Sequence, residues 1–352
     1  MSSPNRRSTI SDVNDRFLRA CRLEPVDVTP VWFMRQAGRY MPEYRALRSQ
    51  YTLLEICRQP ELAAQVTLQP IDRIDLDAAI LFSDLLLPLE PMGIPFDFVK
   101  GEGPAIEKPI RSAGDVERLR QFEPREALCH VLTTIRLLRR ALEDRVPLIG
   151  FAGAPFTLAS YAIEGGPSSN YAKTKALMYD EPKVWHALCE TFASVVADYL
   201  HAQVEAGVQA LQVFDSWIGV LNPNDYREFA MPHTKQIFDA VRSTGVPVIH
   251  FGTSTATLLE TMAEAGGDVI GADWRIPLDE AWDKIGHDRA IQGNLDPTLL
   301  LGPIDRMLEG ADDVLRRAGG RPGHIFNLGH GILPETPVEN VQTLARFVHG
   351  YG

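Results

Sequence analysis

Four arginines and four aromatic residues are concentrated in one segment of the chain, residues 30–48. The arginines are Arg35, Arg39, Arg45 and Arg48, and the aromatic residues are Trp32, Phe33, Tyr40 and Tyr44. Guanidinium groups stay charged and bind a carboxylate through two hydrogen bonds, so the cluster suits a planar ligand with several carboxylates. The alternative is a set of structural ion pairs with the acidic residues of the chain.

The same segment predicts a shaped loop that leads into a helix. It contains Gly38, and Pro42 is a suitable first residue for a helix. If the part around Arg35 and Arg39 were helical, their spacing of four would place both side chains on one face. We expect this segment to precede the barrel described below.

Polar residues directly follow several predicted strands. Asp84 follows the apolar run AAILF, Ser216 follows ALQVF after one residue, and His330 lies between two glycines after IFNL. The carboxyl ends of parallel barrel strands converge on one mouth, where barrel enzymes hold their active sites. Some of these residues have a structural alternative: Asp84 could cap a helix, and Asp296, which precedes a proline, fits that role well.

Two other polar residues favour a structural interpretation when taken alone. Tyr161 lies in the helix predicted within GFAGAPFTLASYAIEGG, and a tyrosine there is more often a half-buried core residue than a site residue. His250 lies within a predicted strand, which indicates a core residue or one that supports a site.

The elements that must position these residues alternate between strand and helix from about residue 78. Alternation predicts parallel strands, and eight strands favour a single closed (β/α)8 TIM barrel with its active site at the C-terminal ends of the strands. An open sheet would usually carry a glycine-rich phosphate motif, and neither GxGxxG nor GxxxxGK[ST] occurs. The clearest predicted strands are Ala78–Phe82, Pro147–Phe151, Ala210–Phe214, Pro247–Phe251, Asp268–Gly271, Ala290–Gln292 and Ile325–Leu328, with a weaker one in Gly93–Val99 beside a hairpin. Predicted helices include Val116–Leu119, Ala127–Leu142, Lys183–Ala206, Asn224–Thr244, Ala256–Ala265 and Pro303–Ala318.

Length and charge exclude several classes of protein. The chain has 352 residues, with 35 Lys+Arg against 46 Asp+Glu and a net charge of −11, which disfavours nucleic acid and anionic membranes as partners. No apolar run reaches the ~18 residues that a membrane helix needs, and the first residues lack the apolar core of a secretory signal. The four cysteines are scattered, which suits a reducing cytoplasm. We expect a mobile tail over residues 1–12 and one barrel domain over residues 13–352, including the arginine-rich loop.

Long stretches of the sequence resemble the uroporphyrinogen decarboxylase family. PVWFMRQAGRYMPEYR resembles the N-terminal signature of that family, and GFAGAPFTLASYAIEGG resembles its second signature. FDSWIG, QGNLDP and NLGHGILPETP are similar to further family segments in the family order, so the resemblance extends from about residue 12 to the C-terminus. It implies a single (β/α)8 barrel that is cytoplasmic and homodimeric and works without a cofactor or metal.

The resemblance also implies a substrate and a set of site residues. The family converts the four acetate side chains of uroporphyrinogen III to methyl groups, which gives coproporphyrinogen III in the pathway to haem or chlorophyll. The implied catalytic residues are Asp84, Arg35 and Arg39. The implied substrate-binding residues are these three together with Gln36, Ala37, Gly38, Tyr44, Tyr161, Phe214, Ser216 and His330.

The chemistry of such a substrate fits these residue types. An ionised Asp84 could accept pyrrole N–H groups and stabilise the positive charge that develops when the ring carbon bearing an acetate is protonated. The proton donor is open. His330 has a suitable unperturbed pKa near ~6.5, but we expect a substrate carboxyl held by arginine, or a water, to relay the proton.

Two other functions are open at this point. One is a zinc-dependent methyltransferase of the same barrel superfamily, which would need thiolate ligands near the strand ends. The comparable stretch is His250-Phe251-Gly252, and none of the cysteines lies at the end of a predicted strand. The other is a porphyrin-binding protein without activity, against which the presence of Asp84 argues.

Overall fold

The strands form one large parallel sheet and one separate hairpin. The computed structural model describes residues 14–99, 103–143 and 145–351. The strands of these residues are β1 (Ala79–Ile80), β2 (Phe96–Val99), β3 (Gly103–Ile106), β4 (Leu148–Gly153), β5 (Ala210–Asp215), β6 (Val248–Gly252), β7 (Val269–Gly271), β8 (Ala290–Leu295) and β9 (His324–Leu328). Within the described chain, seven of them lie side by side in the order β1-β4-β5-β6-β7-β8-β9, and all neighbours are parallel.

The sheet curls round and is bridged by the segment Pro30–Trp32. The N–H of Phe326 in β9 donates to the carbonyl of Pro30 at 2.9 Å, and the N–H of Asp77, just before β1, donates to the carbonyl of Val31 at 2.8 Å. Val31 also forms a parallel bridge with Phe326. The α/β barrel expected from the alternation of strands and helices is therefore confirmed.

One barrel strand was predicted in the wrong place. Phe96–Val99, within the weak candidate Gly93–Val99, pairs with Gly103–Ile106 in an antiparallel hairpin, outside the large sheet. The arginine-rich segment precedes β1 along the chain, and its first residues, Pro30–Trp32, fill the place between the last and first strands of the sheet. Three residues are too short for a strand pattern to show in the sequence.

Helices connect the strands on the outside of the barrel. The longest, Pro182–Ala206, starts with proline in its first turn and ends at Gly207, whose φ of 119° is typical of a glycine after a helix. The single helix predicted over Asn224–Thr244 is divided by a π-helical turn at Tyr226–Ala230. None of the described helices is both long and apolar enough to cross a membrane. The α-helices are Arg16–Cys21, Pro42–Arg48, Leu53–Arg58, Pro60–Arg73, Ala113–Glu117, Pro124–Ala127, Cys129–Leu142, Pro155–Glu164, Ala172–Asp180, Pro182–Ala206, Pro223–Asp225, Met231–Val241, Leu259–Ala265, Leu278–Ile285, Ile304–Ala318 and Val338–His349.

A chain of polar side chains crosses the buried interior of the barrel. The indole N–H of Trp32 donates to Gln292 at 3.0 Å, and the amide of Gln292 donates to Gln212 at 3.2 Å. All three side chains are buried, so these hydrogen bonds are made in a medium of low dielectric constant and fix their partners. The bonds tie the bridging segment to β8 and β5, and so position the arginine-rich loop that follows.

The opposite, N-terminal end of the barrel joins the two ends of the described chain. Asp77 is buried, and its carboxylate accepts from the Asn14 amide at 2.9 Å, Arg16 at 3.0 Å, the Val31 N–H at 2.7 Å and His349 at 2.7 Å. This carboxylate therefore links the first helix, the bridging segment and the last helix. The expected tail, residues 1–12, lies outside the described residues.

Candidate active site

The arginine loop, residues 33–41, is bound to the strands on both sides. The Met34 N–H donates to the Asn327 side chain at 3.1 Å, and the Ile332 N–H donates to the Met34 carbonyl at 2.9 Å. The buried Gln36 side chain donates to the carbonyl of Ala78 at 3.0 Å. The loop therefore has a fixed position between β1 and β9, at the C-terminal ends of the strands.

Arg35 lies at the centre of the predicted site. Its φ of 60° is left-handed, a conformation that costs a non-glycine residue about 1–2 kcal/mol. The stretch from Arg35 to Arg39 is not helical, so the condition for a shared helix face is not met. The Arg35 side chain lies across Gly331, where a Cβ would collide with its Cγ and Cδ. Part of the Arg35 side chain is exposed to solvent, while protein atoms surround the rest. This burial lowers the pKa of Arg35, and the nearby Tyr161 and Asp84 oppose the shift.

Asp84 follows β1 and faces the charge of Arg35. Its Oδ1 accepts from the Leu86 N–H at 2.9 Å, which is a local turn, and no other described group donates to the carboxylate. Burial raises the pKa of Asp84 to about 6, although the Leu86 N–H and the charge of Arg35 oppose the rise. A carboxylate with one donor has lone pairs to spare for a ligand.

An aromatic wall stands beside Asp84. The Tyr161 ring, on the helix Pro155–Glu164, meets Trp217 edge-on at 5.8 Å between centroids, and Trp217 also meets Tyr171 at 5.8 Å. Burial, together with the charge of Asp84, raises the pKa of Tyr161 to about 12, so its hydroxyl remains a donor. The sequence interpretation missed Trp217 and Tyr171; Trp217 could have been found as the residue after Ser216.

Phe214 and Ser216 lie at the C-terminal end of β5, Phe214 within the strand and Ser216 directly after it. Phe214 is half-buried and makes edge contacts with Phe151 at 5.5 Å and Phe251 at 6.0 Å. Ser216 is half-buried too, and its carbonyl accepts a hydrogen bond from the Thr253 hydroxyl. Along the chain, Ser216 directly precedes Trp217 of the aromatic wall.

His330 follows β9 and is half-buried among cations. Burial, then the charges of Arg35 and Arg275, lower its pKa to about 4. His330 is therefore neutral near pH 7, when it can donate and accept hydrogen bonds but carries no charge. The unperturbed pKa that the sequence suggested for His330 therefore does not apply in this environment.

Other predicted site residues shape the loop. Gly38 lies so close to Arg35 that a Cβ would approach its carbonyl to 2.8 Å, and Ala37 packs against the core. The Gln36 carbonyl accepts from the Tyr40 hydroxyl at 2.8 Å, so Gln36 is held from both its backbone and its side chain. Arg45 donates to the carbonyl of Arg39 at 3.0 Å.

Tyr44 packs below the loop instead of opening into it. It is buried, and its ring lies 5.5 Å from that of Phe82. Burial raises the pKa of its hydroxyl. Tyr44 therefore supports the loop from the side of the helix Pro42–Arg48.

His250, which was considered for a zinc site, packs against helices around the barrel. His250 is buried with its ring 4.9 Å from Phe238 and its Nδ1 3.3 Å from the Met262 carbonyl, so it faces the surrounding helices. The described residues contain no group of three or more His, Cys, Asp or Glu side chains that could hold a metal ion. The four cysteines are free thiols. A cavity of about 420 Å³ lies at the other end of the barrel and includes none of the predicted site residues.

The fold and the site define a class of protein: an α/β-barrel enzyme for an anionic ligand. Arginines, an aromatic wall and one weakly bonded carboxylate meet at the C-terminal ends of the strands, where barrel enzymes carry out their chemistry. Neutral donors, Tyr161 and His330, complete the arrangement.

Comparison with known proteins agrees with this class of enzyme and identifies one family within it. The family model described as "Uroporphyrinogen decarboxylase (URO-D)" matches residues 12–351. The uroporphyrinogen decarboxylase of Sorangium cellulosum is 61% identical over 337 residues, and that of Carboxydothermus hydrogenoformans is 56% identical over 337 residues, each covering 96% of both chains. A solved structure described as a methyltransferase from Methanosarcina mazei superimposes with a TM-score of 0.76 at 22% identity, over 96% of this chain and 98% of that one. That likeness supports the fold alone.

The chain belongs to the uroporphyrinogen decarboxylase family. It is a carboxy-lyase of tetrapyrrole biosynthesis, as the resemblance implied. The methyltransferase alternative shares the barrel but not this degree of sequence identity.

Proposed function

We propose that the chain decarboxylates all four acetate side chains of uroporphyrinogen III to give coproporphyrinogen III, and that Asp84 is its central catalytic residue. The observation that carries this proposal is the state of Asp84: an enclosed carboxylate with one backbone donor, beside Arg35. Its spare lone pairs are available to the pyrrole N–H groups that point into the centre of the reduced macrocycle. At pH 7 and above, most of Asp84 is ionised.

Asp84 stabilises the charge that decarboxylation requires. A proton added to the ring carbon that bears the acetate creates a cationic ring. The electrons of the C–C bond then flow into that ring as carbon dioxide leaves, and a proton delivered to the exposed CH₂ group completes the methyl group while the ring carbon loses its own. Each acetate thus consumes one proton and releases one carbon dioxide. A fixed anion in an enclosed site favours the cationic stage.

Arg35 and Arg39 hold carboxylates of the substrate near Asp84. A guanidinium is a poor acid, so we assign the proton relay to an arginine-held substrate carboxyl or to water. Tyr161 and His330, both neutral near pH 7, donate to acetates or propionates. Phe214 and Ser216 line the macrocycle. Gln36, Ala37, Gly38 and Tyr44 are assigned to the shape and support of the arginine loop.

We also infer the assembly and location of the protein from the family resemblance. One hydrophobic core extends over the described elements, which supports a single domain over residues 13–352. Free cysteines support a reducing cytoplasm. A homodimer without cofactor or metal follows from the resemblance alone. Light scattering on the purified protein measures the dimer, and turnover after dialysis against a chelator tests the need for a metal.

The test of the catalytic role is anaerobic turnover of uroporphyrinogen III by the wild type and by Asp84→Asn. Loss of a preorganised charge in an active site typically costs about 100- to 1,000-fold in kcat, and we expect a loss of that size. Asp296→Asn is the matched control. Asp296 follows β8, and within the described part of the chain its side chain accepts only from Thr298, from the N–H at 2.9 Å and from the hydroxyl at 2.7 Å, a role that asparagine fills as well.

The two possible failures are distinct. An inactive wild type would overturn the proposed reaction. An active wild type with an equally active Asp84→Asn variant would overturn only the role of Asp84.

A further inference from the structure

The charge of the substrate exceeds the positive charge already assigned to the site. Uroporphyrinogen carries eight carboxylates, whereas the proposed function provides only Arg35 and Arg39 as permanent cations. His330 adds no charge near neutral pH, since burial and its cationic neighbours lower its pKa to about 4. On an acidic chain, further carboxylates need a further local cation.

Arg275 is a cation held at the mouth of the barrel. It follows β7 in the sequence Asp273-Trp274-Arg275, and Asp273 is only 1% exposed. One oxygen of Asp273 accepts from Arg275 Nη1 at 2.6 Å, and the other accepts from the Arg275 backbone N–H at 3.0 Å. The guanidinium also lies over the Trp274 ring, 3.9 Å from its centroid. A salt bridge to a buried carboxylate and a cation–π contact fix the guanidinium in one orientation.

Neighbouring contacts place Arg275 in the site. Gly329, which precedes His330, is packed so closely on Trp274 that a Cβ there would collide with the Trp274 N–H. On the other side, the Ser254 N–H donates to Asp273, and the adjacent Thr253 hydroxyl donates to the Ser216 carbonyl. The loop after β7 that carries Arg275 thus lies between the loop after β9, which carries His330, and the loop after β6, whose Thr253 contacts Ser216.

The Arg275 guanidinium has N–H groups that are available to a ligand. Its side chain is 45% exposed, and Asp273 is the only described group that accepts from it. The remaining N–H groups can bind a carboxylate through two hydrogen bonds.

We propose that Arg275 is a further substrate-binding residue, which binds a propionate carboxylate at the rim of the site. The inference rests on the proposed function. An arginine on an acetate would stabilise the carboxylate that has to leave, whereas the propionates remain unchanged through all four decarboxylations. Arg275 therefore contributes equally to the substrate and the transition state, which lowers KM and leaves kcat unchanged.

The test is steady-state kinetics of Arg275→Gln and Arg275→Lys under anaerobic conditions, with uroporphyrinogen III as substrate. Loss of a charged hydrogen bond predicts a KM about 10- to 100-fold higher for Arg275→Gln. We expect kcat within twofold of wild type, and partial recovery of KM in Arg275→Lys. The dependence of KM on ionic strength should also weaken in Arg275→Gln, because one attractive charge is gone.

The matched control is Arg321→Gln, which removes another arginine above a tryptophan, 6.0 Å from the Trp282 ring and away from the site. Its KM should equal that of wild type. An unchanged KM in Arg275→Gln, or a fall in kcat alone, would overturn the inference. A KM increase with unaltered salt dependence and a lowered Tm would also overturn it, as evidence of a purely structural role. In either case an active wild type and an impaired Asp84→Asn would leave the proposed function intact.

Discussion

Two aspartates on either side of the first strand show how one residue type takes opposite roles. Asp77 lies before β1, at the N-terminal end of the barrel, and Asp84 lies after it, at the C-terminal end. Asp77 accepts four hydrogen bonds from Asn14, Arg16, Val31 and His349. Asp84 accepts one, from the Leu86 N–H.

The number of donors decides the charge behaviour of each carboxylate. Burial acts on both and by itself raises the pKa. At Asp77 the hydrogen bonds from His349, Val31 and Asn14 outweigh burial and lower the pKa. At Asp84 burial prevails, and the pKa rises to about 6. A buried carboxylate that the protein satisfies is structural, whereas one that the protein leaves under-satisfied is available to a ligand.

The largest expected effect is on Asp77, whose replacement should affect stability and not chemistry. In Asp77→Asn the buried carboxylate no longer compensates Arg16 and His349, and we expect the free energy of unfolding to fall by about 3–5 kcal/mol. Urea denaturation measures this loss, and kcat per folded molecule should be unchanged. Asp27→Asn removes the exposed partner of Arg16 and should change stability by under ~1 kcal/mol. A comparable loss in both variants would contradict the special role of Asp77.

Asp84 should show the reverse behaviour. Its folded pKa of about 6 exceeds the unfolded value near ~3.9, so the folded state loses stability as pH rises through that interval. Asp84→Asn avoids this cost, and we expect it to be more stable than wild type at pH 8 by about 1–3 kcal/mol, although we also expect its kcat to be about 100- to 1,000-fold lower. The gain should disappear at pH 4. A variant that is less stable than wild type at pH 8 would contradict this account.

The opposite shifts also predict a pH range in which the protein is folded but inactive. As pH falls below about 6, Asp84 becomes protonated, and kcat/KM should fall up to about tenfold per pH unit. The lowered pKa of Asp77 preserves its contribution to stability over the same range, because that contribution is lost only when pH falls through the folded value. A pH–rate profile with circular dichroism at each pH tests this prediction. A decline of kcat/KM and of the circular dichroism signal over the same pH range would refute it.

The smallest effect is expected at His349. Burial lowers its pKa, but the hydrogen bond and charge of Asp77, with Asp75, outweigh burial and raise it. The ion pair therefore stabilises the fold below pH ~6.5 and weakens as pH rises through the folded pKa. We expect His349→Gln to cost about 1 kcal/mol at pH 6 and less at pH 9, measured by thermal unfolding. A cost that grows with pH would show that the neutral imidazole, and not the ion pair, is the stabilising form.

Patterns along the chain predicted the parts of the fold and site that depend on local order. Asp84, Ser216 and His330 each follow an apolar run, and parallel strands bring such ends to one mouth. The motifs around Arg35 and Tyr161 identified the family before any contact was known. Asp296, predicted as a cap, accepts from the Thr298 N–H at 2.9 Å.

Other features came only from contacts between distant segments. The bridging segment Pro30–Trp32 has too few residues for a strand pattern, and it is held by hydrogen bonds to Phe326 and Asp77. The hairpin at Phe96–Val99 resembled a barrel strand because both are short apolar runs. The proposed role of Arg275 could not be predicted from the sequence, because an arginine after a tryptophan forms no recognisable motif. It depends on the buried Asp273 and on a neighbouring loop, which hold Arg275 in place.

Residue type and position relative to a strand are local properties, so order along the chain was enough to name the residues that we propose for binding and decarboxylating an anionic macrocycle. The shifted pKa values of Asp84 and His330, the left-handed backbone of Arg35, and the contrast between Asp77 and Asp84 follow from the folded arrangement. These depend on burial and on donors that approach from elsewhere in the chain, and electrostatic energies at a site are set by distance in space.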